Sequence, residues 1–163
     1  MALTFVVFDV GETLVDEATT YERWEAEGVT TFVFADRDLH PDDALPCFDT
    51  LRTRGLQLGA AGNMYAHHEE LLRPHVDFVG SSERWGVEKP AEGFFTHIVE
   101  EAGVPAADIL YVGDRVDNDV LPALAAGFRA VRVRRGAHAD VESPEGTITI
   151  DSLEELPEAL VHV

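Results

Sequence analysis

Phe5-Val6-Val7-Phe8-Asp9-Val10-Gly11-Glu12-Thr13-Leu14-Val15-Asp16 holds the sharpest change of character in the chain. A β-branched and aromatic run passes without transition into a carboxylate, a glycine and a hydroxyl residue. A short, uninterrupted apolar run is how a strand buried on both faces of a parallel sheet reads. The carboxyl end of such a strand opens on the crevice where doubly wound α/β proteins bind their ligands, so Asp9 is delivered to that crevice.

Outward from this segment, strand-like and helix-like stretches alternate. Leu3 to Phe8 is the first strand. Tyr21 to Glu27 reads as a short helix and Thr30 to Phe34 as an extended apolar piece. Pro41-Asp42-Asp43 opens a helix toward Arg54, with Ala44, Leu45, Phe48 and Leu51 on one face. Leu56 to Ala61 is a second strand ending at Gly62-Asn63, Met64 to Leu72 is helical, and His75 to Val79 is a third strand. Pro90 starts a helix carrying Phe94, Phe95, Ile98 and Val99 that stops at Gly103. Asp108 to Val112, Phe128 to Val133 and Thr147 to Ile150 supply three more strands, with helices over Asn118 to Ala126 and Leu153 to Leu160. The expected fold is α/β, a doubly wound, mostly parallel sheet with a Rossmann-like core. No internal repeat, low-complexity tract or long linker divides residues 1–163, so a single domain is expected.

The chain has 163 residues, 45% of them apolar, enough for one core. Its formal net charge of -19 argues against nucleic acid and against anionic membranes as partners. An anionic substrate would then need local help from a cation, backbone N–H groups or a placed basic residue. No apolar run approaches membrane-spanning length, and the N-terminal run is cut short by Asp9. There is no basic segment with a small-residue cleavage site, hence no expected signal peptide. The lone Cys47 cannot form an internal disulfide, which fits a reducing cytoplasm, and its apolar setting indicates packing.

Two acidic clusters follow two predicted strands: Asp9, and Gly113-Asp114-Arg115-Val116-Asp117-Asn118-Asp119. If the first and fourth strands are neighbours, Asp9 and Asp114 face each other, and carboxylates so close repel unless a cation joins them. All-oxygen ligation by a few carboxylates suits Mg²⁺. Lys89, in Trp85-Gly86-Val87-Glu88-Lys89-Pro90, is the only lysine in the chain. A compact ammonium touching both a carboxylate and a phosphate would explain its place.

Taken in order, the apolar strand with Asp9-x-x-x-Thr13-Leu14, Gly62-Asn63 after a strand, Lys89-Pro90, and Gly113-Asp114-x-x-x-x-Asp119 resemble the haloacid dehalogenase (HAD) superfamily over nearly the whole chain. The run Gly113-Asp114-Arg115-Val116-Asp117-Asn118-Asp119-Val120-Leu121-Pro122-Ala123 is similar to that of an uncharacterised bacterial branch. The resemblance implies a Mg²⁺-dependent hydrolase of phosphatase type in which Asp9 takes up the phosphoryl group as an aspartyl-phosphate. It implies that Asp9, Asp114 and the carbonyl of Gly11 bind Mg²⁺, with Asp119 completing the cluster. It also implies that Lys89 neutralises the nucleophile and the phosphate, and that backbone N–H groups of Val10 and Asn63 hold phosphate oxygens.

Two departures from the family pattern bear on turnover. Family phosphatases carry an acid–base Asp two residues after the nucleophile, where this chain has Gly11; loss of such a group costs about 10²–10⁴-fold in rate. Glu12 is the candidate replacement, weighed against a solvated loop residue. The Ser or Thr of the second motif is Gly62, for which the Asn63 side chain is a partial substitute. Only residues 17–40 remain for a cap, too few for a helical bundle. The expected crevice is therefore open, suited to a bulky phosphorylated or other anionic substrate or to covering by a second copy in a homodimer. Two alternatives stay open: a metal- or phosphate-binding domain without turnover, and a haloacid dehalogenase, which lacks the second Asp but needs no metal. A phosphonate hydrolase is disfavoured, because its Schiff base requires a second lysine.

Overall fold

The computed structural model describes residues 2–40 and 42–163; the proposed helix start at Pro41 lies outside them. Six strands form one sheet: β1 (Phe5–Phe8), β2 (Gln57–Gly62), β3 (Phe78–Ser81), β4 (Ile109–Gly113), β5 (Arg129–Val133) and β6 (Ile148–Ile150). They run parallel in the order β3-β2-β1-β4-β5-β6. Strand order reverses at β1, which lies between β2 and β4 with Phe8 level with both Ala60 and Val112. This is the switch point at which open α/β sheets bind ligands.

β1 is apolar on both faces because both faces are covered. Phe5 and Val7 join Phe94, Phe95 and Ile98 of α5 (Glu92–Ala102), together with Tyr111 and Phe128. Val6 and Phe8 join Cys47, Phe48 and Leu51 of α2 (Ala44–Thr53) and Leu156 of α7 (Leu156–Ala159) on the other side. Burial pushes the Cys47 thiol up to about 12, so it is a packing group. No helix among the described residues is long and apolar enough to cross a membrane.

Four stretches differ from the sequence reading. The helix expected from Tyr21 begins four residues earlier, as α1 (Glu17–Glu27), because the Asp16 side chain accepts from the Thr19 N–H and the Glu12 carboxylate accepts from the Ala18 N–H. Thr30 to Phe34 forms no strand. Its rings instead pack on α1, with Trp24 buried against Phe32 and Phe34 at centroid separations of 5.4 and 5.0 Å. The third strand lies later than His75–Val79, and the helix expected over Met64 to Leu72 is a 3₁₀ turn at Ala66–His68 followed by α3 (Glu69–Leu72). The two remaining helices are α4 (Ser82–Trp85) and α6 (Leu121–Ala125).

Candidate active site

Asp9 directly follows β1, and its own N–H still donates to the Val112 carbonyl of β4 at 2.8 Å. Asp114 directly follows β4. Asp119 is brought back to them by one wide turn over Val116–Val120, whose residues hydrogen-bond in π-helical spacing. That return requires Gly113: a Cβ there would lie 2.4 Å from the Asp119 side chain. The three carboxylates are buried and offer oxygens within 4.8 Å of one another.

Lys89 is 5% exposed, and its Nζ donates to Asp9 Oδ1 at 2.6 Å and to Asp119 Oδ1 at 2.5 Å. Burial opposes its charge, but Asp119 and Asp9 hold its pKa well above the usual lysine value. The Thr13 hydroxyl lies 3.2 Å from Asp9 Oδ2 and 3.4 Å from Asp114 Oδ1, between the two carboxylates. One ammonium does not offset three carboxylates. Burial, with Asp9 and Asp119 alongside, pushes Asp114 up to about 9. The donor set, three carboxylates of hard oxygen and no sulfur or imidazole, fits Mg²⁺.

The loops are braced from below by two arginines. Arg132 is fully buried in β5, its Nε donating to the Asp114 carbonyl at 3.2 Å. Its remaining nitrogens reach the Val141 and His138 carbonyls and the Ser143 hydroxyl. Arg135 donates to the Glu12 and Thr13 carbonyls and pairs with Asp43 at 2.6 Å. Both arginines are scaffolding. Arg132→Met removes the donor to the Asp114 and Val141 carbonyls and to the Ser143 hydroxyl and is expected to cost about 2–3 kcal/mol in urea denaturation, against a change within error if Arg132 were a surface group.

Val10, Gly11 and Asn63 line a cavity of about 570 Å³ at the carboxyl edge of the sheet, together with Glu17, Tyr21, Phe34, Tyr65 and His68. The Asn63 side chain does not point into it as a Ser or Thr substitute. Its Oδ1 accepts from the Lys89 N–H at 2.8 Å and its Nδ2 donates to the Lys89 carbonyl at 3.0 Å, which fixes the backbone that carries the ammonium. Glu12 is likewise committed elsewhere. At φ 62° it occupies the left-handed region, its Oε1 accepts from the Ala18 N–H at 3.0 Å, and its Oε2 packs on Gly136. Trp85 is no part of the cavity wall; it stacks on His97 at 5.1 Å and packs against Phe94.

A residue the sequence did not flag stands in the space beside Gly11. A Cβ on Gly11 would come within 2.6 Å of Glu17 Oε1, so the Glu17 carboxylate fills the volume that a side chain at position 11 would enter. Burial, then Glu12 and Asp9, push Glu17 up to about 7. The signal was Asp16, a helix-capping residue directly before Glu17, which starts the helix early enough to bring Glu17 inward.

The HAD-hydrolase-like family model matches residues 87–156, the span that carries Lys89, Asp114 and Asp119. Glyceraldehyde 3-phosphate phosphatase of Methanocaldococcus jannaschii is 39% identical over 113 residues, covering 65% of this chain and 50% of the relative. Over these residues the chain is similar to the haloacid dehalogenase-like hydrolases. Solved structures agree in fold. A HAD phosphatase from Thermococcus onnurineus superposes with a TM-score of 0.75 at 20% identity, covering 97% of this chain and 98% of that one. The putative HAD-hydrolase YfnB of Bacillus subtilis, bound to magnesium, gives a TM-score of 0.72 at 19% identity, covering 98% and 99%. The chain spans about half the length of the curated HAD relatives it matches.

Proposed function

We propose that this chain is a Mg²⁺-dependent phosphatase-type hydrolase that transfers the phosphoryl group of a phosphate monoester to Asp9. The observation that supports this most is the setting of the Asp9 carboxylate. It stands at the mouth of the switch-point crevice, held by Lys89 on one oxygen and Thr13 on the other, with Asp114 and Asp119 alongside. Asp9, Asp114 and Asp119 would hold the cation. Bound there, Mg²⁺ supplies charge neutralisation for the carboxylates and the phosphate oxygens. Lys89 holds Asp9 oriented for attack and would face the incoming phosphate. The N–H groups of Val10 and Asn63 border the cavity and would take phosphate oxygens.

The substrate's remaining portion would lie against Tyr21, Phe34, Tyr65 and His68, a wall of rings that favours a leaving group with planar or apolar surface. The archaeal relatives act on glyceraldehyde 3-phosphate, which makes small phosphorylated aldehydes and alcohols the first compounds to assay. A second reading, a metal- and phosphate-binding domain without turnover, draws on one observation: neither Gly11 nor Glu12 presents an acid–base group to Asp9.

A panel of phosphate monoesters and 2-haloacids, assayed with Mg²⁺ and with EDTA, tests the proposal. Phosphate release that stops in EDTA and returns with Mg²⁺ is expected. Mg²⁺ at about 100-fold its Kd should also raise Tm by roughly 5–10 °C. Metal-independent release of halide would overturn the phosphatase reading in favour of a dehalogenase. A Mg²⁺-dependent rise in Tm with no turnover would overturn it in favour of the binding domain.

A further inference from the structure

The missing acid–base side chain at position 11 and the placement of Glu17 are two sides of one arrangement. Glu17 is the first residue of α1, and its side chain lines the cavity beside Gly11. It occupies the space left by Gly11, with Oε1 2.6 Å, Cδ 2.9 Å and Oε2 3.2 Å from the position of an ideal Cβ there. It lines the same cavity as Val10, Gly11 and Asn63, the backbone expected to meet the phosphate. Its helix turn is held by two contacts. Glu12 fixes the N–H of Ala18 and Asp16 that of Thr19, which pins the first turn of α1. One turn along, Tyr21 lines the same cavity. The carboxylate therefore lies in the cavity beside Gly11, two residues along the loop from Asp9, on a helix whose next turn carries Tyr21 of the ring wall.

We propose that Glu17 is the general acid–base of this site, delivered from α1 into the space that a side chain on residue 11 would enter. The inference rests on the phosphatase reading above. In the first half-reaction an Asp9 carboxylate oxygen bonds to phosphorus while the ester P–O bond breaks. The proton on the Glu17 carboxyl passes to the leaving oxygen, so the alcohol departs neutral. In the second, the Glu17 carboxylate takes a proton from water as the water oxygen bonds to phosphorus. The bond between Asp9 and phosphorus then breaks, inorganic phosphate leaves, and Glu17 is again protonated.

The test compares wild type, Glu17→Gln, Gly11→Asp and the double variant Gly11→Asp/Glu17→Ala on alkyl, phenyl and p-nitrophenyl phosphate with Mg²⁺. Glu17→Gln is expected to lower kcat/KM for the alkyl ester by about 10²–10⁴-fold and that for the p-nitrophenyl ester far less, since a good leaving group needs no proton. Acid-quenched phosphoenzyme should accumulate in Glu17→Gln and not in wild type, because the attacking water has lost its base. The Mg²⁺-induced rise in Tm should be unchanged. Gly11→Asp alone should be impaired, because its side chain and Glu17 compete for one volume, and the double variant should recover alkyl-ester turnover. If Glu17→Gln does not fold, the double variant carries the test. Loss shared equally by all three esters with no phosphoenzyme would show a structural role and overturn the inference, as would wild-type rates in Glu17→Gln. Wild type without turnover on any ester would overturn the phosphatase reading itself, and the inference with it.

Discussion

Replacing Lys89 with methionine is expected to remove about 3–5 kcal/mol of folding stability and all measurable turnover. Methionine keeps the volume of the stem, so the loss is electrostatic and not a cavity effect. The ammonium is enclosed and bonds to two of three clustered carboxylates. Its removal leaves Asp9, Asp114 and Asp119 within 4.8 Å of one another with no positive side chain among them. Two controls separate charge from shape. Lys89→Met with Asp119→Asn should regain part of the stability, and Mg²⁺ should restore more Tm to Lys89→Met than it adds to wild type. Urea denaturation in EDTA and in Mg²⁺ measures both; a loss under 1 kcal/mol in EDTA would show that the carboxylates do not depend on Lys89.

Asp9→Asn has the opposite profile. Turnover of any phosphate ester should fall by at least about 10⁴-fold, since an amide oxygen is no nucleophile and cannot form the acyl-phosphate. Stability without Mg²⁺ should hold or rise, because the carboxylate that opposes ionisation of both Asp114 and Asp119 is gone while Lys89 keeps Asp119 at 2.5 Å. The shape of the side chain is retained, so the Thr13 contact and the Lys89 contact have a partner of the same size. Steady-state assay and a thermal melt in EDTA read the two effects on one sample. Residual activity near wild type would remove Asp9 from the chemistry, and a drop of several degrees would show that the carboxylate is a structural ion-pair partner first.

Much of the sheet was legible because β1 and β4 are buried on both faces and so announce themselves as apolar runs. β3 was misplaced for a physical reason. Gly80 and Ser81 look like a strand's end, yet Gly80 is strand interior because the Trp85 indole lies where a Cβ would sit, 1.9 Å away. The segment before it is drawn off by the pair formed by Leu58 and Asp77, which exchange backbone and side-chain hydrogen bonds at 2.7 and 2.8 Å. In the site, Asp9, Lys89, Asp114 and Asp119 could be found because each follows or precedes an element that the sequence marks clearly. Glu17, Arg132 and Arg135 could not. Their partners are main-chain carbonyls, the sequence-distant Asp43 and the space beside a glycine, which leave no pattern of residue types at fixed spacing. The Asn63 amide serves the Lys89 backbone, a role that depends on two loops meeting 26 residues apart.

The solitary lysine has one more consequence, for handling the molecule at the bench. Among 163 residues there is a single ε-amino group, and it lies at the bottom of the crevice, 5% exposed and engaged by two acids. Amine-directed acylating reagents, crosslinkers and fluorophores thus meet no ε-amine on the outer surface. Incorporation at position 89 counts only those molecules in which the crevice has opened, so the chain carries its own chemical gauge of whether this centre is intact.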